Sequence, residues 1–159
     1  MTGTVSSVDP TSKTITMFLD SGSQGTFKDM INQKVSLAVD KKLLVDTTSP
    51  DEFKKGGAYV VVFYFGGSDT RTAVALRSLG TGPFTAMTGT VTQFENHRSL
   101  SIRDESGAVK SFALTGDTIV EAGAGAVSGA KFQASKGDHV RVVGAAKDGS
   151  STALFVREM

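Results

Sequence analysis

Two histidines, His97 and His139, are the residues of this chain best suited to binding a metal or moving a proton, because imidazole titrates near neutrality. Neither has company. A catalytic zinc needs three protein ligands, and the sequence carries no HxH, HExxH or histidine cluster to supply them. His97 falls in the hairpin segment Glu95-Asn96-His97-Arg98 and His139 at an outward strand position, so both are expected to face solvent. Carboxylate pairs at Asp51-Glu52 and Asp104-Glu105 offer a second chemistry, but a glycosidase needs two carboxyl groups facing one sugar, and adjacent strand residues point to opposite faces. Asp104-Glu105 precedes Ser106-Gly107 and reads as the polar shoulder of a turn. Asp51 and Glu52 fit the first turn of a short helix opened by Ser49-Pro50. The absence of cysteine removes thiolate nucleophiles, disulfides and sulfur-ligated zinc together. Eighteen glycines raise the question of a phosphate loop, yet no GxGxxG or GxxxxGK[ST] stands between a strand and a helix. Ala122-Gly123-Ala124-Gly125-Ala126 reads instead as a flexible insertion. No catalytic residue, metal ligand or cofactor-binding residue is expected.

The elements that would position these residues are set by an internal repeat. MTGTV at Met1–Val5 returns at Met87–Val91, Ile15-Thr16-Met17 aligns with Leu100-Ser101-Ile102, and KGGAYVVV from Lys55 aligns with KGDHVRVV from Lys136. TAVALR at Thr72–Arg77 matches TALFVR at Thr152–Arg157 and closes each copy. The copies span residues 1–79 and 87–159, joined by a linker over 80–86 that contains Gly82-Pro83. Apolar and polar residues alternate, as in Ser99–Asp104, which is the period of a half-buried strand. Turn residues at Asp9-Pro10, Ser21-Gly22, Gly66-Gly67, Ser106-Gly107 and Asp148-Gly149 separate the strands. Copies this small bury a marginal core, and closing the sheet hides its edges. The expected fold is all-β: two tandem antiparallel barrels of five or six strands each. The inward set is read as Val5, Ile15, Met17, Tyr59, Val61, Phe63, Val74 and Leu76, matched by Val91, Leu100, Ile102, Val140, Val142, Gly144, Leu154 and Val156. Gly3 and Gly89 are read as bends or bulges in the opening strands.

With Gly89-Thr90-Val91, Thr115-Gly116-Asp117-Thr118, Lys136-Gly137-Asp138 and the closing Ala153–Arg157, the second copy resembles a bacterial family of unknown function. That family consists of small, often exported β-barrel domains similar to the oligonucleotide/oligosaccharide-binding (OB) fold. The first copy departs from the pattern at Lys55-Gly56-Gly57 and at Asp40-Lys41-Lys42. The resemblance implies a fold and brings no active site with it.

Charge narrows the partners. Lys and Arg total 17 against 16 Asp and Glu, with each half close to neutral, so a dedicated nucleic-acid binder is not expected. No apolar run reaches the roughly 20 residues of a membrane span. Thr-Gly-Thr-Val follows Met1 with no leader, which places the chain in the periplasm or outside the cell if a native leader has been trimmed, and in the cytoplasm otherwise. In Ala58–Phe65 both strand faces are apolar. Val60, Val62 and Tyr64 are read as outward, forming with Phe18 and Phe155 an interface for a protein partner or for self-association. The leading functional reading is a non-catalytic binding or assembly module of an exported or envelope-associated protein. The alternative is an OB-type binder of single-stranded nucleic acid or oligosaccharide, with Phe94, Arg98, Arg103 and Lys110 as its ligand face. An enzyme using His139, Asp138 and Asp117 is the third reading.

Overall fold

A computed structural model of the chain describes residues 1–20, 24–29, 53, 56–67, 71–80, 82–123, 125–147 and 149–159. The chain divides into two compact units; the described residues of the second are those from Gly82 onward, and the fold is all-β, with no helix among the described residues. The helical turn expected at Ser49–Glu52 lies outside the described residues.

In the first unit, strands β1 (Thr2–Asp9), β2 (Thr14–Leu19), β3 (Gln24–Asp29), β4 (Tyr59–Phe65) and β5 (Thr72–Ser78) pair in the order β1-β2-β3-β5-β4, and β4 returns to β1. All pairs are antiparallel except β3–β5. The second unit holds β6 (Phe84–Glu95), β7 (Ser99–Arg103), β8 (Val109–Ala113), β9 (Ile119–Ala122), β10 (Gly125–Ser128), β11 (His139–Lys147) and β12 (Ser150–Glu158). Its sheet runs β10-β9-β12-β11-β6-β7-β8, and β12 meets β8 again through one parallel bridge, Thr152 to Ala113.

The pairings of the first sheet recur in the second. Val5 faces Met17 as Val91 faces Ile102, and each pairing then skips one residue, Ser6 or Thr92. Val62 faces Leu76 as Val142 faces Val156, and the skip falls at Val74 or Leu154. An extra residue bends a strand and fixes its register. Each core is therefore built from equivalent positions: Val5, Ile15, Met17, Phe27, Val60, Val62, Ala73 and Leu76 in one, Val91, Leu100, Ile102, Phe112, Val140, Val142, Ala153 and Val156 in the other.

Five sequence expectations differ from the structure. Gly56 and Gly137 are not equivalent. Val5 exchanges backbone hydrogen bonds with Gly57 and Ala58, whereas Val91 exchanges them with Gly137 and Asp138, so the strand alignment slips by one residue. A slip of one turns every side chain to the other face. Val60 and Val62 consequently line the core, Val61 and Phe63 lie on the opposite face of β4, where they too are buried, and Tyr59 aligns with His139. Val74 and Leu154, read as inward, are the bulged residues, and Ala73 and Ala153 take the core positions. Gly3 and Gly89 are not the bulges. A side chain at Gly3 would strike the Phe18 carbonyl and one at Gly89 the Arg103 carbonyl, so these glycines permit close approach of the neighbouring strand. Ala122 pairs with Gly125 and Glu121 with Ala126, so the segment read as an insertion holds the facing ends of β9 and β10, which take the second sheet beyond five or six strands, and Phe84–Ala86, read as linker, pair with Val143–Ala145.

Candidate binding site in the second unit

The residues expected to form an interface do not come together. Val60 and Val62 are core, so neither can meet a partner in the folded unit. Tyr64 is half-buried with its ring edge-on to Phe27, centroids 5.8 Å apart. Phe155 is buried, lying across from Val143 and Ile119, and only Phe18 is open, at 58% exposure. The expected ligand face divides as well. Phe94 packs on the core and edge-on against Phe132, with centroids 5.5 Å apart. Lys110 pairs with core Ile102 and holds its ammonium 5.5 Å from the centre of the buried Phe112 ring, a cation–π contact at the end of the core. Arg71 does the same over Phe27, the equivalent ring, at 5.8 Å. Arg98 is exposed at the β6–β7 hairpin and Arg103 is exposed at the end of β7, across from Thr90. Alternation with core Ile102 puts Arg103 on the outer face, so these four residues serve two different sides of the sheet.

The third constellation is likewise separated by its local bonds. Asp138 accepts the Ser135 N–H at 2.7 Å and closes a turn, and the Asp117 N–H donates to Thr115 Oγ1 within another turn. His139 is exposed, and its ring Nε2 lies 3.4 Å from Thr90 Oγ1, at the long limit of a hydrogen bond. Among the described residues no group of three His, Asp or Glu could hold a metal ion. His97 sits at the hairpin tip with φ 60°, exposed as its turn position requires.

A cleft does form beside His139. In the first unit β1 and β2 stay paired through Gly3 and Leu19, and the Asp20 N–H reaches the Thr2 carbonyl. In the second unit the pairing ends at Thr90 and Arg103, and the chain turns away at Asp104. Asp104 holds that turn: its carboxylate accepts from Ser106 Oγ at 2.6 Å and from the Ala108 N–H at 3.0 Å. The Ser106 bond, ahead of the backbone bonds, holds the Asp104 carboxyl below the usual aspartate range, against a smaller raising effect of burial. The departing turn leaves a cleft of about 430 Å³ bordered by Met87–Gly89, Asp104–Ser106 and His139. Comparison with known protein families, with characterised proteins and with solved structures finds no match. The geometry alone must carry the reading.

Register makes the cleft interpretable. Thr88 and His139 occupy the positions of Thr2 and Tyr59, and Glu105 follows core Ile102 by three residues as Asp20 follows Met17, although the chain has by then left β6. In the first unit these three are bonded to one another: the Thr2 and Tyr59 hydroxyls both donate to Asp20 Oδ2. In the second, Thr88 and Glu105 have no side-chain hydrogen bond among the described residues. Alternation alone could not mark these residues. The repeat could have, had the β4 alignment been shifted by one.

Proposed function

We propose that the protein is a non-catalytic binding module made of two small barrels of the OB type, and that its ligand is held at the open end of the β6–β7 pair. The observation that carries this reading is the pairwise contrast just described, in which three polar side chains bond to one another in the first unit and their counterparts border a cleft without bonding to one another in the second. The recurrent pairings and bulges support the barrel reading. The return of β4 to β1, and the weaker bridge from β12 to β8, support closure of each sheet. Hydrogen-bonding groups bordering a pre-formed concavity suit binding. No helix among the described residues is long and apolar enough to cross a membrane. Export to the bacterial envelope follows from the family resemblance and belongs to the same proposal.

The test is amide NMR of the full chain titrated with two probe sets, neutral oligosaccharides and short single-stranded DNA at low salt, where electrostatic affinity is greatest. Shifts confined to Thr88–Thr90, Glu105–Ser106 and His139 are expected with one of the sets. If neither set moves these amides, the binding reading is wrong.

A second reading rests on Phe18. It is exposed on the outer face of β2, across Thr4 from Tyr59, where a base could stack. Shifts centred on Phe18 with single-stranded DNA would favour it.

A further inference from the structure

Resting on the binding reading, we infer that the cleft of the second unit takes one or two units of a neutral oligosaccharide, with Thr88, Glu105 and His139 as its hydrogen-bonding contacts. Sugar hydroxyls both donate and accept, so a site for them must offer both. Thr88 does either, Glu105 accepts at two oxygens, and His139 offers a ring nitrogen held only by the long contact to Thr90. Unspent hydrogen-bonding capacity is thus concentrated on the border of one concavity. Ala86 and Met87 add apolar surface to the lining, suited to the C–H face of a sugar ring.

Charge argues against the competing classes. An anion, including the phosphates of a single strand, would face the Asp104 and Glu105 carboxylates inside the cleft. A simple cation would meet exposed Arg103 across Thr90 and find no third carboxylate to complete its coordination. A neutral ligand carrying many hydroxyls meets neither penalty. The volume of about 430 Å³ falls within the range of small-molecule sites. The cleft has no aromatic stacking surface among its lining residues, so affinity should be modest, on the order of 0.1–1 mM.

The first unit supplies the control. Replacing Glu105 by Asp and His139 by Tyr gives the second unit the residue types of the Thr2–Asp20–Tyr59 cluster. The E105D/H139Y double variant shortens the carboxylate and removes the imidazole, and should keep its fold because both positions are exposed. Glu105→Gln, which removes charge and keeps size, is the second variant and should weaken binding about three- to tenfold.

The experiment is amide NMR of the full chain with maltotetraose, cellotetraose and chitotetraose, and separately with an eight-nucleotide oligothymidine. Saturable shifts at Thr88–Thr90, Glu105–Ser106 and His139 with at least one tetrasaccharide, weakened tenfold or more in E105D/H139Y while the remaining spectrum is kept, are the expected result. Three outcomes overturn the inference. If oligothymidine alone moves these amides, the site stands as a binding site but its ligand class is wrong. If a tetrasaccharide binds E105D/H139Y and Glu105→Gln with the affinity of the wild type, the ligand is held elsewhere and the assignment of the cleft fails. If no probe moves any amide, the inference falls together with the binding reading on which it rests.

Discussion

The first unit ends its β1–β2 pair with a carboxylate that draws two hydroxyls onto itself, whereas the second ends its β6–β7 pair with a carboxylate that folds its own chain into a turn. The difference begins with which residue carries the acid after the glycine that lets the strands approach. Asp20 follows Leu19, which is still paired with Gly3 and buried. Asp104 stands at the position of Leu19, and an Asp there satisfies Ser106 and Ala108 instead of continuing the strand. Two units with equivalent core positions and the same skipped residues thus come to differ in whether these polar groups bond to one another.

The comparison can be broken most forcefully at the core. Val62→Asp and Val142→Asp each place a carboxylate among apolar side chains and should cost on the order of 4 kcal/mol or more. Each is expected to unfold its own unit first, which amide NMR under rising urea will show. A Val62→Asp variant as stable as the wild type would mean that Val62 is not a core residue. Next come Phe27→Ala and Phe112→Ala, equivalent buried rings, each expected to lose about 3–5 kcal/mol in denaturant unfolding. A large gap between the two would show that the shared pairings do not imply shared energetics.

The polar positions give a smaller and more discriminating contrast. Tyr59→Phe removes a hydroxyl bonded to a carboxylate and should cost about 1.5–3 kcal/mol, while His139→Phe at the equivalent open position should stay within about 0.5 kcal/mol. Similar costs at both sites would sink the closed-versus-open distinction. The smallest effect concerns acid. Ser12 and Thr11 hold Asp9 below its ordinary range, chiefly through the Ser12 hydroxyl, as Ser106 holds Asp104. A carboxylate whose folded pKa is depressed adds stability that is present above the unfolded value, about pH 4, and is lost as pH falls through the folded one. Asp9→Asn and Asp104→Asn should therefore each flatten the acid limb of stability below about pH 4 and leave the slope near pH 7 unchanged. Chemical denaturation at pH 3 and pH 7 checks both.

Much of this architecture is legible in the amino-acid order. Alternation around Val5, Ile15 and Met17, and around Val91, Leu100 and Ile102, identifies core residues because each strand keeps one face dry. The β4 strand misleads because Val60, Val61, Val62 and Phe63 are apolar on both faces, so periodicity says nothing and the alignment rests on a Lys-Gly match. Gly56 and Gly57 both adopt positive φ, and it is Gly57 that stands where Gly137 does; an extra glycine absorbed in a turn leaves no trace in composition. Bulges at Val74 and Leu154 are invisible for a related reason, since a skipped residue looks like any other branched apolar one. His139 and Asp104-Glu105 are visible as polar residues, and their surface and turn positions follow from pattern. Their meeting around one cleft depends on where β7 leaves β6, which is set by two hydrogen bonds within a turn.

The parallel seam between the third and fifth strands of the first unit rests on two residue pairs, Lys28 with Thr72 and Asp29 with Ala73, and its counterpart in the second on Thr152 with Ala113 alone. The other neighbouring strands of either sheet are joined by more residue pairs. A sheet parts where the fewest bonds must break together, so local fluctuation should pass through this seam while the antiparallel pairs stay shut. Amide hydrogen exchange would then show the second unit breathing at β8 before β6 or β11 loses protection. The cleft beside His139, bounded by β6 and β11, would keep its shape during such openings, a rigid mouth on a wall that parts elsewhere.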